Sequence, residues 1–192
     1  WYTVSNILLR GIGIITAPVF NRILSQDQVG AFSNIQSWLT ILLVVLTLEL
    51  SSSVNLAIFD YPEKKIKGYL SSITLLGSMI TIPFFVSFFI FSSVWEELLK
   101  IEYRYIIIVF FALLFSPATS NFMAYHRAKL SYKQAVAISL ATTLLSVGSS
   151  LLLIAVLDNK LDGRVYGAYI PQIIIGLIIY IKLIAEGHTI DT

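Results

Sequence analysis

The sequence predicts an all-α fold, a polytopic transmembrane bundle of six helices forming a single domain over residues 1–192. Three observations predict it. Of the 192 residues, 57% are hydrophobic and only 12% charged, against about a quarter charged in an ordinary soluble domain. The charges gather in short clusters between apolar runs of roughly 20 residues or more, the length that crosses a bilayer core. The connections are too short to hold a soluble domain, and short connections make neighbouring helices antiparallel.

The first predicted helix, 3–24, carries Arg10 in its body, Pro18 as a kink point with Thr16 to satisfy the freed backbone, and Arg22 near its far end. The second, 30–59, is long enough to tilt or to extend past the bilayer. It holds Glu49, followed by Ser51, Ser52, Ser53 and Asn55. The third, 69–94, is nearly all apolar. The fourth, 103–125, contains the polar patch "SPATSNFMAY", and the fifth, 134–157, contains Thr142, Thr143, Ser146, Gly148, Ser149 and Ser150. The sixth, 166–185, has Gln172 beside Pro171. Small and hydroxylated residues of this kind pack membrane helices together as readily as they line a polar path. The connections read "SQDQ", "DYPEKKIK", "WEELLKIE", "HRAKLSYK" and "DNKLDGR". Tyr61, Tyr69, Trp95, Tyr103, Tyr125 and Tyr166 fall near the proposed boundaries, where aromatic rings favour the headgroup level.

Orientation follows from the basic residues of the short loops. Lys64, Lys65 and Lys67 lie in the second, and Arg127, Lys129 and Lys133 in the fourth. Arg22, Lys100, Arg104, Lys160 and Arg164 belong to the other loops, where acids dilute them. The second and fourth loops, and with them both termini, are therefore placed in the cytoplasm. The chain opens on Trp1 rather than Met, and the expectation is that the natural N-terminus is missing.

Several function classes are disfavoured. A net charge of +2 with no basic stripe does not fit nucleic acid. The chain has no cysteine, so no disulfide framework or thiolate metal site. His126 and His188 both sit at helix ends, and no H-E-x-x-H or G-x-S-x-G occurs. "GIG" at Gly11–Gly13 lacks the third glycine of a dinucleotide fingerprint. The expectation is a protein that is not an enzyme and uses no cofactor and no metal.

Two charges stand where lipid disfavours them. Arg10 lies about 10 Å below the start of its helix, and a charge at depth costs roughly 2.5–3.5 kcal/mol on insertion scales. It either snorkels back to the interface or faces a polar cleft, where its planar fork suits phosphate. Glu49 stands roughly 15 Å from the cytoplasmic end of its helix. It either pairs with Arg10 on the antiparallel neighbour or binds a proton or sodium ion, as intramembrane carboxylates do in transporters.

The stretch "APVFNRILSQDQVGAFSNIQSWLTIL" resembles the start of the bacterial polysaccharide-biosynthesis flippases. In that family an arginine ends the first helix, followed by Leu-Ser, an acidic-polar turn, and a glycine before an aromatic. Here these are Arg22, Leu24-Ser25, Gln26-Asp27-Gln28, Gly30 and Phe32. "LAIFDYPEKKIKGYLSSITLLGSM" and "FMAYHRAKLSYKQAVAISL" are similar to the family's second-to-third and fourth-to-fifth helix junctions.

The resemblance implies the multidrug/oligosaccharidyl-lipid/polysaccharide exporter superfamily. Its members have twelve or fourteen helices in two lobes around a cavity, and the six helices here would be the N-terminal lobe. They move undecaprenyl-pyrophosphate-linked oligosaccharide across the bacterial inner membrane for surface polysaccharides such as the O-antigen of lipopolysaccharide. Implied partners are the lipid-linked oligosaccharide, membrane lipids, the C-terminal lobe of the same chain and the polysaccharide polymerase machinery. Basic residues line the cavity in the family, which makes Arg10 and Arg22 candidates. Asn6 and Asn121 complete the candidate substrate-binding set. Glu49 matches no family motif and is an ion-coupling candidate on its own chemistry. The competing readings are a lobe of a cation-coupled multidrug exporter, in which Glu49 would outweigh Arg10, and a complete six-helix scaffold or lipid-sugar enzyme.

Overall fold

The computed structural model describes residues 2–129 and 131–188. Among them are eight α-helices: α1 (Tyr2–Ile23), α2 (Gln26–Thr47), α3 (Val54–Asp60), α4 (Glu63–Ile90), α5 (Ser92–Leu99), α6 (Tyr103–Ala128), α7 (Tyr132–Val156) and α8 (Lys160–His188). Among the described residues five stretches are long and apolar enough to cross a membrane: Gln26–Thr47, Lys65–Ile90, Tyr103–Ala128, Lys133–Val156 and Lys160–Gly187. Gly11–Ile23 of α1 is a shorter apolar helix. Long apolar side chains such as Ile14, Ile15, Met79 and Leu152 point outward, as lipid-facing positions do when the solvent is hydrocarbon.

The second apolar segment is not one helix. α2 stops at Thr47, and Leu48 and Glu49 both take left-handed backbone, with φ of 48° and 50°. A 3-10 turn, Leu50–Ser53, leads into α3. The serines supply the cause, because short hydroxyl side chains compete for helix carbonyls. Ser52 gives both its backbone N–H (2.9 Å) and its hydroxyl (2.8 Å) to the Glu49 carbonyl. The Ser53 hydroxyl donates to the Leu50 carbonyl (2.6 Å) and accepts from the Tyr69 hydroxyl of α4 (2.7 Å).

Other boundaries move outward from their sequence-predicted places. α4 begins at Glu63, so Lys65 and Lys67 lie on its first turns rather than in a loop. The predicted loop "WEELLKIE" is largely α5, which ends where Lys100 turns left-handed at φ 53°. Asn34 of α2 clasps that end by donating to the carbonyls of Leu99 (2.9 Å) and Lys100 (3.2 Å). α8 begins at Lys160, six residues earlier than the predicted 166. Between α1 and α2, Ser25 and Gln28 form a reciprocal cap: the Gln28 N–H reaches the Ser25 hydroxyl (3.3 Å), and the Ser25 N–H reaches the Gln28 side chain (3.1 Å). Pro18 leaves the Ile14 carbonyl without its usual donor. The Thr16 hydroxyl goes instead to Gly13 (3.3 Å).

α8 packs against α7, α6 and α4 and so forms the middle of the bundle. Its crossing with α7 is backbone on backbone. A Cβ added at Gly167 would lie 2.3 Å from Ser150 Cα, and one at Gly163 would lie 2.5 Å from the Ile154 nitrogen. Small residues at such crossings let helices approach without a hydrophobic drive. The approach brings serines of α7 within reach of α8 carbonyls. Ser146 donates to Ala168 (2.9 Å), and Ser149 donates to Gly167 (2.7 Å). The larger core joins α2, α4, α6 and α8 around Leu46, Phe88, Tyr105, Phe110, Val165 and Tyr169. α1 is held to α7 by the small cluster of Phe20, Leu24 and Ile154.

Gly167→Ala is expected to destabilise the bundle by about 1–3 kcal/mol, since the contact is backbone and has no side chain to move aside. Gly148→Ala on α7, where a Cβ meets nothing within 4 Å, is the control and should leave thermal unfolding in detergent unchanged.

Candidate functional site

A groove of about 240 Å³ runs between α1, α2 and the first turns of α8. α1 contributes Gly13, Thr16, Ala17, Phe20 and Asn21, and α2 contributes Phe32, Ser33 and Gln36. From Gly13 to Leu24 the groove follows about 16 Å of helix, from the α1–α2 turn well into the apolar zone. Among the described residues its one charged lining residue is Arg164 of α8. The guanidinium carbon lies 3.7 Å from the centre of the Phe20 ring and 4.2 Å from that of Phe32. One arm donates to the Ser150 hydroxyl (3.0 Å), which is itself tied to the Ser146 carbonyl (2.6 Å). Among the described residues no carboxylate lies within ion-pair distance of Arg164. Its charge is met instead by two aromatic faces, an attraction of about 0.5–2 kcal/mol each depending on desolvation. Remaining donors of the five in its fork are left for a ligand.

The opposite side of the same helical turn is anchored. Asp162 accepts from the Arg104 guanidinium (2.8 Å) and from the Tyr105 hydroxyl, both on α6. Arg104 also reaches Glu102 (2.8 Å). At the end of α1, Lys160 donates to the Ile23 carbonyl (3.2 Å). The first two turns of α8 are thus held from α6 on one side and from α1 on the other, with Arg164 between.

A second hollow, of about 210 Å³, lies among α6, α7 and α8. It gathers Ser116, Thr119 and Ser120, Thr142, and Gln172, with Arg127 at its α6 end. Parts of the polar patches of the fourth and sixth predicted helices meet Thr142 of the fifth here.

The sequence-predicted site residues are dispersed. Asn6 and Arg10 fall on α1, and their side chains lie outside the described residues. Arg22 is exposed at the end of α1 and does not line the groove. Asn121 is almost wholly buried and donates to the Thr74 hydroxyl (3.0 Å), tying α6 to α4 rather than lining either hollow. Glu49 is exposed at the helix break. Arg164 is the residue that sequence reasoning passed over. The sequence places it in a loop, whereas the helix start at Lys160 puts it one turn inside α8. Among the described residues no group of His, Asp or Glu is placed to hold a metal ion.

A family model described as polysaccharide biosynthesis protein matches residues 1–190. The chain belongs to that family. No curated protein and no solved structure matches it at a significant level. Family membership and five apolar helices of spanning length point together to a multi-pass membrane protein of polysaccharide biosynthesis.

The anchor at Asp162 is expected to behave as a coupled unit. Arg104 and Glu102 are substantially exposed, so their ion pair contributes little. Tyr105 is buried at 2% exposure, and a buried hydrogen bond to a carboxylate contributes more. Tyr105→Phe and Asp162→Asn should each lower the unfolding midpoint. In a double-mutant cycle they should show a coupling of about 0.5–3 kcal/mol, whereas Glu102→Gln should be nearly silent.

Proposed function

We propose that this chain is the N-terminal lobe of an inner-membrane flippase that carries undecaprenyl-pyrophosphate-linked oligosaccharide across the membrane by alternating access. The observation that carries the reading, within this family, is the Arg164 guanidinium held in the α1–α2–α8 groove with no carboxylate partner among the described residues. A lipid-linked sugar brings a pyrophosphate and many hydroxyls into the bilayer, and its lost hydration must be replaced by charge and hydrogen bonds. A guanidinium supplies both in one planar fork. Gln36, Ser33 and Asn21 line the same groove and offer hydroxyl and amide groups for sugar.

Arg10 and Asn6 extend this reading by register. Residues 6, 10, 13, 17, 21 and 24 recur at helical spacing, and Gly13, Ala17, Asn21 and Leu24 of that series line the groove. Arg10 is then a second candidate for anion contact, by its position one turn before Gly13 on α1. Glu49 is the coupling group in this scheme, an exposed carboxylate at a broken helix, and broken helices recur at transporter ion sites. The segments joining α3 to α4 and α6 to α7 face the cytoplasm, and a second lobe completes the cavity.

Arg164→Ala should reduce export of lipid-linked oligosaccharide in cells, or flipping in proteoliposomes, by at least tenfold at unchanged protein level, the effect expected for losing a charge-assisted contact. Arg164→Lys should recover only part, because it loses the two-pronged geometry. Arg10→Ala should likewise abolish flipping. Wild-type transport by Arg164→Ala and Arg10→Ala would remove the groove from the substrate path. Glu49→Gln should alter the pH or sodium dependence of transport. An unchanged profile would exclude Glu49 from coupling.

A further inference from the structure

A third cavity, of about 270 Å³, opens at the other end of the bundle, where α4 begins and α6 and α8 end. It lies apart from the groove, and its lining is of a different kind. Leu70, Phe122 and Leu183 make the apolar part, and Lys67, Lys182, Glu186 and His126 the polar part. The two lysines come from different helices and converge on one carboxylate. Lys67 stands 3.2 Å from one oxygen of Glu186, and Lys182 stands 3.9 Å from the other. The Lys182 ammonium also lies 5.2 Å from the Phe122 ring centre. His126 stacks near Phe122, with ring centres 4.2 Å apart, and its Nδ1 shares a hydrogen bond with Ser131 (2.8 Å). A Cβ at Gly187 would meet Ser71 Cβ at 2.3 Å, so the end of α8 is pressed on α4 and the two lysines are held on one rim.

Among the described lining residues two cations share one carboxylate, which leaves a surplus positive charge at the mouth. Arg127 and Lys129 lie close by in the chain, and Lys129 stands 5.1 Å from the Tyr125 ring, which also lines the cavity. We infer that this cavity seats the phosphate of an anionic phospholipid headgroup, with Lys67 and Lys182 on the phosphate and Glu186 as the internal counterion it displaces. A headgroup is favoured over free phosphate because the walls are half apolar and the site lies where spanning helices end, the setting in which basic pockets between helices take acidic lipids. The inference is independent of what the protein transports.

The test is lipid retention. The intact protein, purified in mild detergent, is titrated with phosphatidylglycerol or phosphatidylcholine, and bound lipid is read by native mass spectrometry. Phosphatidylglycerol should be retained in preference to phosphatidylcholine. Lys182→Gln and Lys67→Gln should each weaken that retention about fivefold, the effect of one cation on an anionic lipid. Lys182→Arg should keep it. Glu186→Gln breaks the same ion pairs but removes the competing carboxylate, so it should retain as much phosphatidylglycerol or more. Loss in Glu186→Gln equal to that in the lysine variants would overturn the proposal in favour of ion pairs that only brace the helices. Equal retention of both lipids, or equal retention across all variants, would overturn it in favour of a nonspecific lipid annulus. Displacement of phosphatidylglycerol by millimolar inorganic phosphate would assign the site to the free anion instead.

Discussion

The contact on which this structure turns is the backbone crossing of α7 and α8. Gly163 and Gly167 leave no side chain between the helices. Serine hydroxyls of α7 can therefore reach carbonyls of α8. Hydrocarbon drives no apolar association, so dispersion at close range and interhelical hydrogen bonds must supply it. The crossing also fixes the groove. Ser150 meets Arg164 only because the helices touch one turn away, and Phe20 and Phe32 close over the guanidinium from α1 and α2.

Two environments among the described cations contrast most sharply. Lys67, Lys182 and Arg104 stand beside carboxylates at the ends of the bundle. Arg164 has π faces and a hydroxyl instead. Near the bilayer a carboxylate partner would neutralise the guanidinium and spend its donors. Aromatic faces hold it in position while leaving its charge and its in-plane donors available, which is the physical difference between a bracing arginine and a receptive one.

The apolar spans were legible in the sequence because lipid demands long hydrophobic runs and little else imitates them. The ends were read less well. At 63–68 and 160–165 polar residues continue helices beyond the apolar zone, and hydropathy alone marks such turns as loop. The interruption at Leu48 and Glu49 had no glycine or proline to announce it; it is built from serine hydroxyls and an anchoring tyrosine sixteen residues away. Arg164 was hidden for a related reason. Arg10 is conspicuous in a string of apolar letters, whereas the setting of Arg164 exists only once Phe20, Phe32 and Ser150, far off in the chain, are folded around it. Asn121 read as a polar residue awaiting a ligand, and its neighbour Thr74 could be known only from the packing of α4 on α6.

The interruption after Thr47 also has a mechanical meaning. A continuous helix is a stiff shaft: a twist applied at one end arrives at the other. Two successive left-handed residues act as a universal joint. α3 is seated against α6 and latched through Tyr69 to α4. α2 meets the same core through Ile35 and Leu46, so the joint lets the two helices dock on it separately and not as one rod.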